Sequence, residues 1–226
     1  YMASKNTLSD PKNQIVIRNA TTADASAICD LSSRVYASTG MYGYSEGAVT
    51  GQINHFPQGQ FVIVIGDKIV GYCATFRIGE DLALKKHNWT EITGNGYASR
   101  HDPDGDWLYG MEVAIDPEYR GYRLGQRLYN ERKKLCQSLG LKGIVFGGRL
   151  PSLSNRLKRF GSVEEYVEQV IQKKQQDQVL SFQLHNGFEV IGIIPHYLDA
   201  DVQSMGYAVH LMWRNPMVPV EEPTTN

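Results

Sequence analysis

The sequence predicts a single α/β domain. Seven short runs with strand character alternate with segments whose apolar residues recur at helical spacing, and no linker-like stretch separates them. A chain of 226 residues can bury a sizeable core as one domain enlarged by insertions. On this reading, residues 1–13 are a flexible N-terminal segment and 14–215 the domain. Insertions fall at 79–106 and 149–174, and 216–226 form a polar C-terminal tail.

Residues 14–18 carry the β-branched alternation of a strand, followed by turn and capping residues. Thr21 and Asp24, three apart, form a capping box for a helix with Ile28, Leu31 and Val35 at helical spacing. Residues 42–54 give a weaker, glycine-rich helical pattern. Residues 60–65 and 69–76 are two strands whose short connection suits a hairpin. The stretch 79–106 has no sustained period and reads as a long excursion, a length that in a compact domain accompanies binding or closure. Residues 107–115 form a strand ended by Asp116 and Pro117. Leu124, Leu128, Leu135 and Leu139 then mark a helix that stops at Gly140. Residues 142–146 are a further strand. Ser162 and Glu165 open a helix with Val163, Tyr166, Val167 and Val170 inward. A short helix over 179–184 and strands over 188–194 and 206–213 complete the domain.

Composition excludes several classes. The three cysteines, Cys29, Cys73 and Cys136, form no C-x-x-C pair, so neither a disulfide framework nor a zinc ribbon is indicated, and a cytoplasmic location is expected. The six histidines lack ligand spacing, so no metal is expected. No apolar run approaches the roughly 18 residues that cross a bilayer, so no membrane partner is expected. Formal net charge is −1, but its distribution is uneven: between Arg120 and Arg159 lie eleven Lys and Arg against one acid, Glu131. That patch has few aromatics and the rest of the chain is acidic, so nucleic acid is not the expected partner.

The basic patch begins at the strongest local signal. A strand ending at Ile115 runs through a proline turn into an amphipathic helix, with Gly121 and Gly125 at the junction. Such a junction aims unpaired backbone N–H groups at one point, where the helix dipole and Arg120, Arg123 and Arg127 add positive potential. On glycine spacing alone, an ordinary strand-to-helix connection accounts for it equally well. The run from Arg120 to Gly125 resembles the acetyl-coenzyme A signature of the GNAT N-acetyltransferase superfamily, Q/R-x-x-G-x-G/A, with Arg123 replacing the middle glycine. Residues 17–24 are similar to that family's opening strand and helix, and Asn186, Gly187 and Phe188 to its closing turn. The segments 119–129, 144–151 and 180–188 more closely resemble GNAT domains fused to carbon-nitrogen hydrolase (nitrilase-like) domains.

The resemblance implies a central mixed, mostly antiparallel sheet of about seven strands flanked by helices, and acetyl-CoA-dependent transfer of an acetyl group to a primary amine by direct attack. It implies that the backbone of Val113, Ala114 and Ile115 pairs with the pantetheine arm. The amides of Arg120, Gly121, Tyr122, Arg123, Leu124, Gly125 and Gln126 would hold the diphosphate. The acceptor would be a small-molecule or peptide amine, and the resemblance leaves room for a homodimer and for a carbon-nitrogen hydrolase partner.

Attack by an amine needs a base, and the departing thiolate an acid. Glu112, mid-strand beside the cofactor, is the candidate base; pairing with a nearby arginine is the alternative. Tyr109 and Tyr197 are candidates for acid or orienting group. The family's usual acid, a tyrosine four residues before the closing glycine, is here Gln183, and the asparagine seven residues earlier is Gln176. These departures favour a second reading, a non-catalytic acyl-CoA-binding module acting with a partner such as a hydrolase. His185 reads as a surface residue. The acidic, aromatic excursion either covers the acceptor site or is a solvated loop.

Overall fold

The computed structural model describes residues 14–222; the segment expected to be flexible, 1–13, lies outside them. The strands are β1 (Ile15–Asn19), β2 (Phe61–Ile65), β3 (Lys68–Ile78), β4 (Trp107–Ile115), β5 (Gly143–Gly148), β6 (Glu189–Ile194) and β7 (Ala208–Arg214). They form one sheet in the order β1-β2-β3-β4-β5-β7-β6. β4 and β5 are parallel and every other neighbouring pair is antiparallel. The helices are α1 (Ala25–Tyr36), α2 (Glu46–His55), α3 (Glu80–Ala83), α4 (Trp89–Thr93), α5 (Leu124–Ser138), α6 (Leu153–Arg156), α7 (Val163–Ile171) and α8 (Gln178–His185). None of the described helices is long and apolar enough to cross a membrane.

Local chemistry explains the main elements. The Thr21–Asp24 capping box is present ahead of α1, which buries Ile28 and Leu31. Ser162 caps α7 by accepting the Glu165 N–H, and Glu165 in return accepts the Gly161 N–H. Asp177 caps α8 through the amides of Val179 and Leu180. α5 buries Leu124 and Leu128 against Ile63, Val70 and Cys73 of the sheet. The sheet therefore lies between α1 and α2 on one face and α5 on the other.

The 79–106 stretch holds the two short helices α3 and α4, and it is packed. Ala83 and Ala98 are fully buried, and Ile92 belongs to the main core. Glu80 and Asp106 grip Lys142 at 3.3 and 3.1 Å, so these two acids are engaged at the sheet rather than presented to an acceptor. Removing 83–99 would open the core.

One irregularity positions everything that follows. β4 and β5 pair only at Trp107–Gly143, Leu108–Ile144 and Tyr109–Val145. Both strands continue, to Ile115 and Gly148, without further pairing, while β4 stays bonded to β3 as far as Ile115–Gly71. A wedge opens between residues 110–115 and 146–148.

Candidate active site

The wedge ends above the start of α5. Gly121 has φ of +92° and Arg123 φ of +57°, so two left-handed residues turn the chain into the helix. Arg123 thus keeps the backbone shape that a glycine favours, at a cost of roughly 1 kcal/mol. No side chain caps α5, so its first amides are unpaired. A Cβ at Gly121 would meet nothing within 4 Å and one at Gly125 only Phe182 at 3.8 Å. The helix start is therefore open and able to take an anion, with Arg120, Arg123 and Arg127 exposed around it. The Asn186 turn is fastened to the same helix through Gln126 and Lys133.

β4 is bulged at Met111: Glu112 lies opposite Ala74 and Gly110 opposite Thr75. Tyr109, opposite Phe76, and Glu112 therefore project from one face, towards α1 and α2. There Glu112 Oε2 accepts the hydroxyls of Tyr36 and Tyr44, the latter at 3.1 Å. Oε1 has no hydrogen bond among the described residues. Burial raises the Glu112 carboxyl above its usual value, only partly offset by Tyr36 and Tyr44 and then by Arg132 and Arg149. Burial first, then Glu112, pushes both phenols well above 10, so they stay donors. No ion pair joins Glu112 to an arginine among the described residues; its partners are tyrosines.

On the same face Tyr109 and Tyr197 share a hydrogen bond of 2.7 Å, and the Tyr197 ring lies on Gly147, where a Cβ would come within 2.4 Å of it. Tyr109 also contacts His87 Nε2 at 2.8 Å. Arg149, just beyond β5, is held by both oxygens of Asp201 at 2.6 and 2.7 Å.

The opposite face of the wedge is lined from α5 and α8. Arg132, 3% exposed, donates to the carbonyl of Glu112 at 2.7 Å and to Cys73 Sγ at 3.1 Å, with its guanidinium over the rings of Tyr129 and Phe146. Gln183 is 5% exposed and donates Nε2 to Tyr129 at 3.3 Å. Its Oε1 is the one buried side-chain polar atom without a partner among the described residues. Such an atom awaits a donor, and it lies beside Gly148 at the wedge.

The structure thus brings Tyr109, Glu112 and Tyr197 to one face, sets Val113, Ala114 and Ile115 on the edge of β4 that β5 leaves unpaired, and gathers Arg120 to Gln126 at the open start of α5. Gln176 and His185 are exposed. Sequence reasoning missed Tyr36, Tyr44, His87 and Arg132, which stand in no motif, and gave no role to Tyr129 and Arg149, which lie in the resembling segments 119–129 and 144–151. No group of His, Cys, Asp and Glu among the described residues is arranged to hold a metal.

Comparison with known proteins finds relatives of the sequence and of the fold. The acetyltransferase (GNAT) family model matches residues 27–153. The chain is 38% identical over 95% of its length to the probable hydrolase YhcX of Bacillus subtilis (strain 168), of which it spans 41%. It is 30% identical to the uncharacterized N-acetyltransferase YkwB of the same organism, over 76% of this chain and 75% of that one. Among solved structures, the GphF GNAT-like decarboxylase in complex with isobutyryl-CoA superposes with a TM-score of 0.75 at 25% identity, covering 88% of this chain and 99% of that one.

Proposed function

Because the chain belongs to the acetyltransferase (GNAT) family, we propose that it is an acetyl-CoA-dependent N-acetyltransferase acting on a primary amine by direct attack. The observation that carries the reading is the wedge between parallel strands above the uncapped, glycine-turned start of α5. An extended pantetheine arm fits beside Val113, Ala114 and Ile115 as an added strand, and the diphosphate fits the amides from Arg120 to Gln126. The isobutyryl-CoA bound by GphF supports an acyl-CoA as donor. The unpaired Gln183 Oε1 suits an amide N–H or thiol S–H of that arm.

The thioester then reaches the bulged part of β4 with Glu112 on the acceptor side. Glu112 Oε2 is fixed by Tyr36 and Tyr44, leaving Oε1 to receive a proton from the attacking nitrogen. Its raised carboxyl makes it a stronger base than an exposed glutamate. Tyr109 and Tyr197 orient the acceptor from the same face. Release of free thiol from acetyl-CoA across a panel of primary amines tests the proposal, and absence of turnover with every amine overturns it.

Gln183 favours a second reading, because an amide supplies no titratable proton to a departing thiolate. A non-catalytic acyl-CoA-binding module, acting with a partner such as the hydrolase part that the name of YhcX suggests, would bind acetyl-CoA tightly and release no thiol.

A further inference from the structure

His87 lies between α3 and α4 in the packed excursion, half-buried, with Nδ1 2.8 Å from the Lys85 carbonyl. A carbonyl only accepts, so Nδ1 carries the hydrogen. Burial, partly offset by the Lys85 contact, holds His87 below the usual histidine range, which leaves its ring neutral and Nε2 bare at neutral pH. The Tyr109 hydroxyl, 2.8 Å from Nε2, must then donate to it. With its hydrogen engaged, Tyr109 accepts from Tyr197 at 2.7 Å. All three donors point one way, from the face that carries Glu112 to the surface of the excursion.

The surroundings hold this direction. His210 stands edge-on to His87 at 5.3 Å; it donates Nε2–H to the buried Ala83 carbonyl and is pushed down to about 4 by burial, His87 and Lys86, so it stays neutral. Burial keeps both phenols protonated; Tyr197 adds to it at Tyr109 against the Gly147 backbone, and at Tyr197 burial, with Glu112, outweighs the Tyr109 contact and the Gly147 backbone. The Trp89 amide donates to the Tyr197 carbonyl at 2.9 Å, tying the excursion to the relay's inner end.

Resting on the amine-acylation reading, we propose that Tyr197, Tyr109 and His87 form an outward proton relay that strips the first proton from an acceptor arriving as an ammonium ion. A primary ammonium must lose one proton before it can attack and a second to become an amide. In the first transfer the ammonium proton passes to the Tyr197 oxygen, that of Tyr197 to Tyr109 and that of Tyr109 to His87 Nε2; the imidazolium gives one proton to water. The neutral amine then attacks the thioester carbon, the C–N bond forms, and the C–S bond breaks with its electron pair on sulfur. Glu112 takes the second proton and returns it to the thiolate. One proton leaves to solvent per turnover, as the net reaction of an ammonium with a thioester requires.

The full chain carrying His87→Gln tests this with acetyl-CoA and two amines, one of pKa about 10 and one already neutral in the assay. For the basic amine at neutral pH, kcat/KM falls about 10- to 100-fold; for the neutral amine it changes less than about 2-fold, and KM for acetyl-CoA is unchanged in both. Raising the pH to the pKa of the basic amine restores its rate. Equal losses for both amines, or no loss for either, overturn the relay. Nitrogen NMR of His87 in the unliganded wild type reads the tautomer without turnover, and hydrogen on Nε2 overturns it independently. Wild-type protein that releases thiol with neither amine overturns the acylation reading, and the relay with it.

Discussion

Tyr109 and Glu112 stand on the same face of β4 although they are three residues apart. Regular alternation would put them on opposite faces; the unpaired Met111 takes up the extra residue. The bulge thus unites a carboxylate held by Tyr36 and Tyr44 with a phenol joined to Tyr197.

Glu112→Gln is expected to lower kcat by about 10²- to 10⁴-fold while leaving KM for acetyl-CoA within about 2-fold. Stability carries a separate signature. A carboxyl raised in the folded state binds its proton more tightly there than when unfolded, so folding is weakened as pH rises from 4.5 through the folded value. The variant should therefore match or exceed the wild type in melting temperature at neutral pH, and that advantage should vanish below pH 4.5. Melting curves across that interval check it; a variant less stable at neutral pH would contradict the burial argument.

Arg123 invites a second substitution. Its φ of +57° costs a non-glycine residue backbone energy, and its side chain is exposed. Arg123→Gly should raise unfolding stability by up to about 1 kcal/mol and, by removing one positive charge, weaken coenzyme A binding with a shallower salt dependence. Urea titration and calorimetry at two ionic strengths read the two effects; a loss of stability would show that the arginine makes a contact outweighing the strain.

Much of this was legible in the chain. Each predicted strand appears within a few residues of its expected bounds because β-branched and aromatic runs record half-buried pleats directly. The Thr21–Asp24 and Ser162–Glu165 signals work because a cap is a short-range hydrogen bond. What stayed hidden depends on pairing across distance. The bulge leaves no mark in the run from Trp107 to Ile115, since its apolar residues read alike in either register. α3 and α4, four and five residues long, are too short for a period to emerge. Tyr36 and Tyr44 meet Glu112 across 76 and 68 residues, and His87 meets Tyr109 across 22, so no motif could join them.

Asp116 ends β4 and is 1% exposed, with Arg34 at 3.0 Å and Lys68 at 3.2 Å on one oxygen and the Glu118 amide at 3.0 Å on the other. Burial alone would raise its carboxyl, but the Glu118 amide, Lys68 and Arg34 outweigh it and hold it below 3.8. A depressed carboxyl stabilises the fold above its unfolded value and loses that contribution as pH falls through the folded one. Asp116→Asn should cost about 1–3 kcal/mol at neutral pH, shrinking towards zero below pH 3.8. Urea midpoints as a function of pH measure it, and a cost independent of pH would assign the effect to the turn geometry rather than to charge.

Gly125 separates cofactor binding from folding most cleanly. It lies in the first turn of α5 without a positive φ, and a side chain there has room, the nearest atom to its Cβ being Phe182 at 3.8 Å. Glutamate is a far better helix former than glycine and its charge favours a helix N-terminus, so Gly125→Glu should fold with equal or higher stability, by up to about 1 kcal/mol. The same carboxylate would occupy the open start of α5 and repel a diphosphate from its unpaired amides. Calorimetry should find coenzyme A affinity lowered by at least about 100-fold, roughly 2.7 kcal/mol, while the melting temperature holds. Micromolar binding retained by this variant would remove the start of α5 as the diphosphate site, and with it the main support for placing pantetheine along β4.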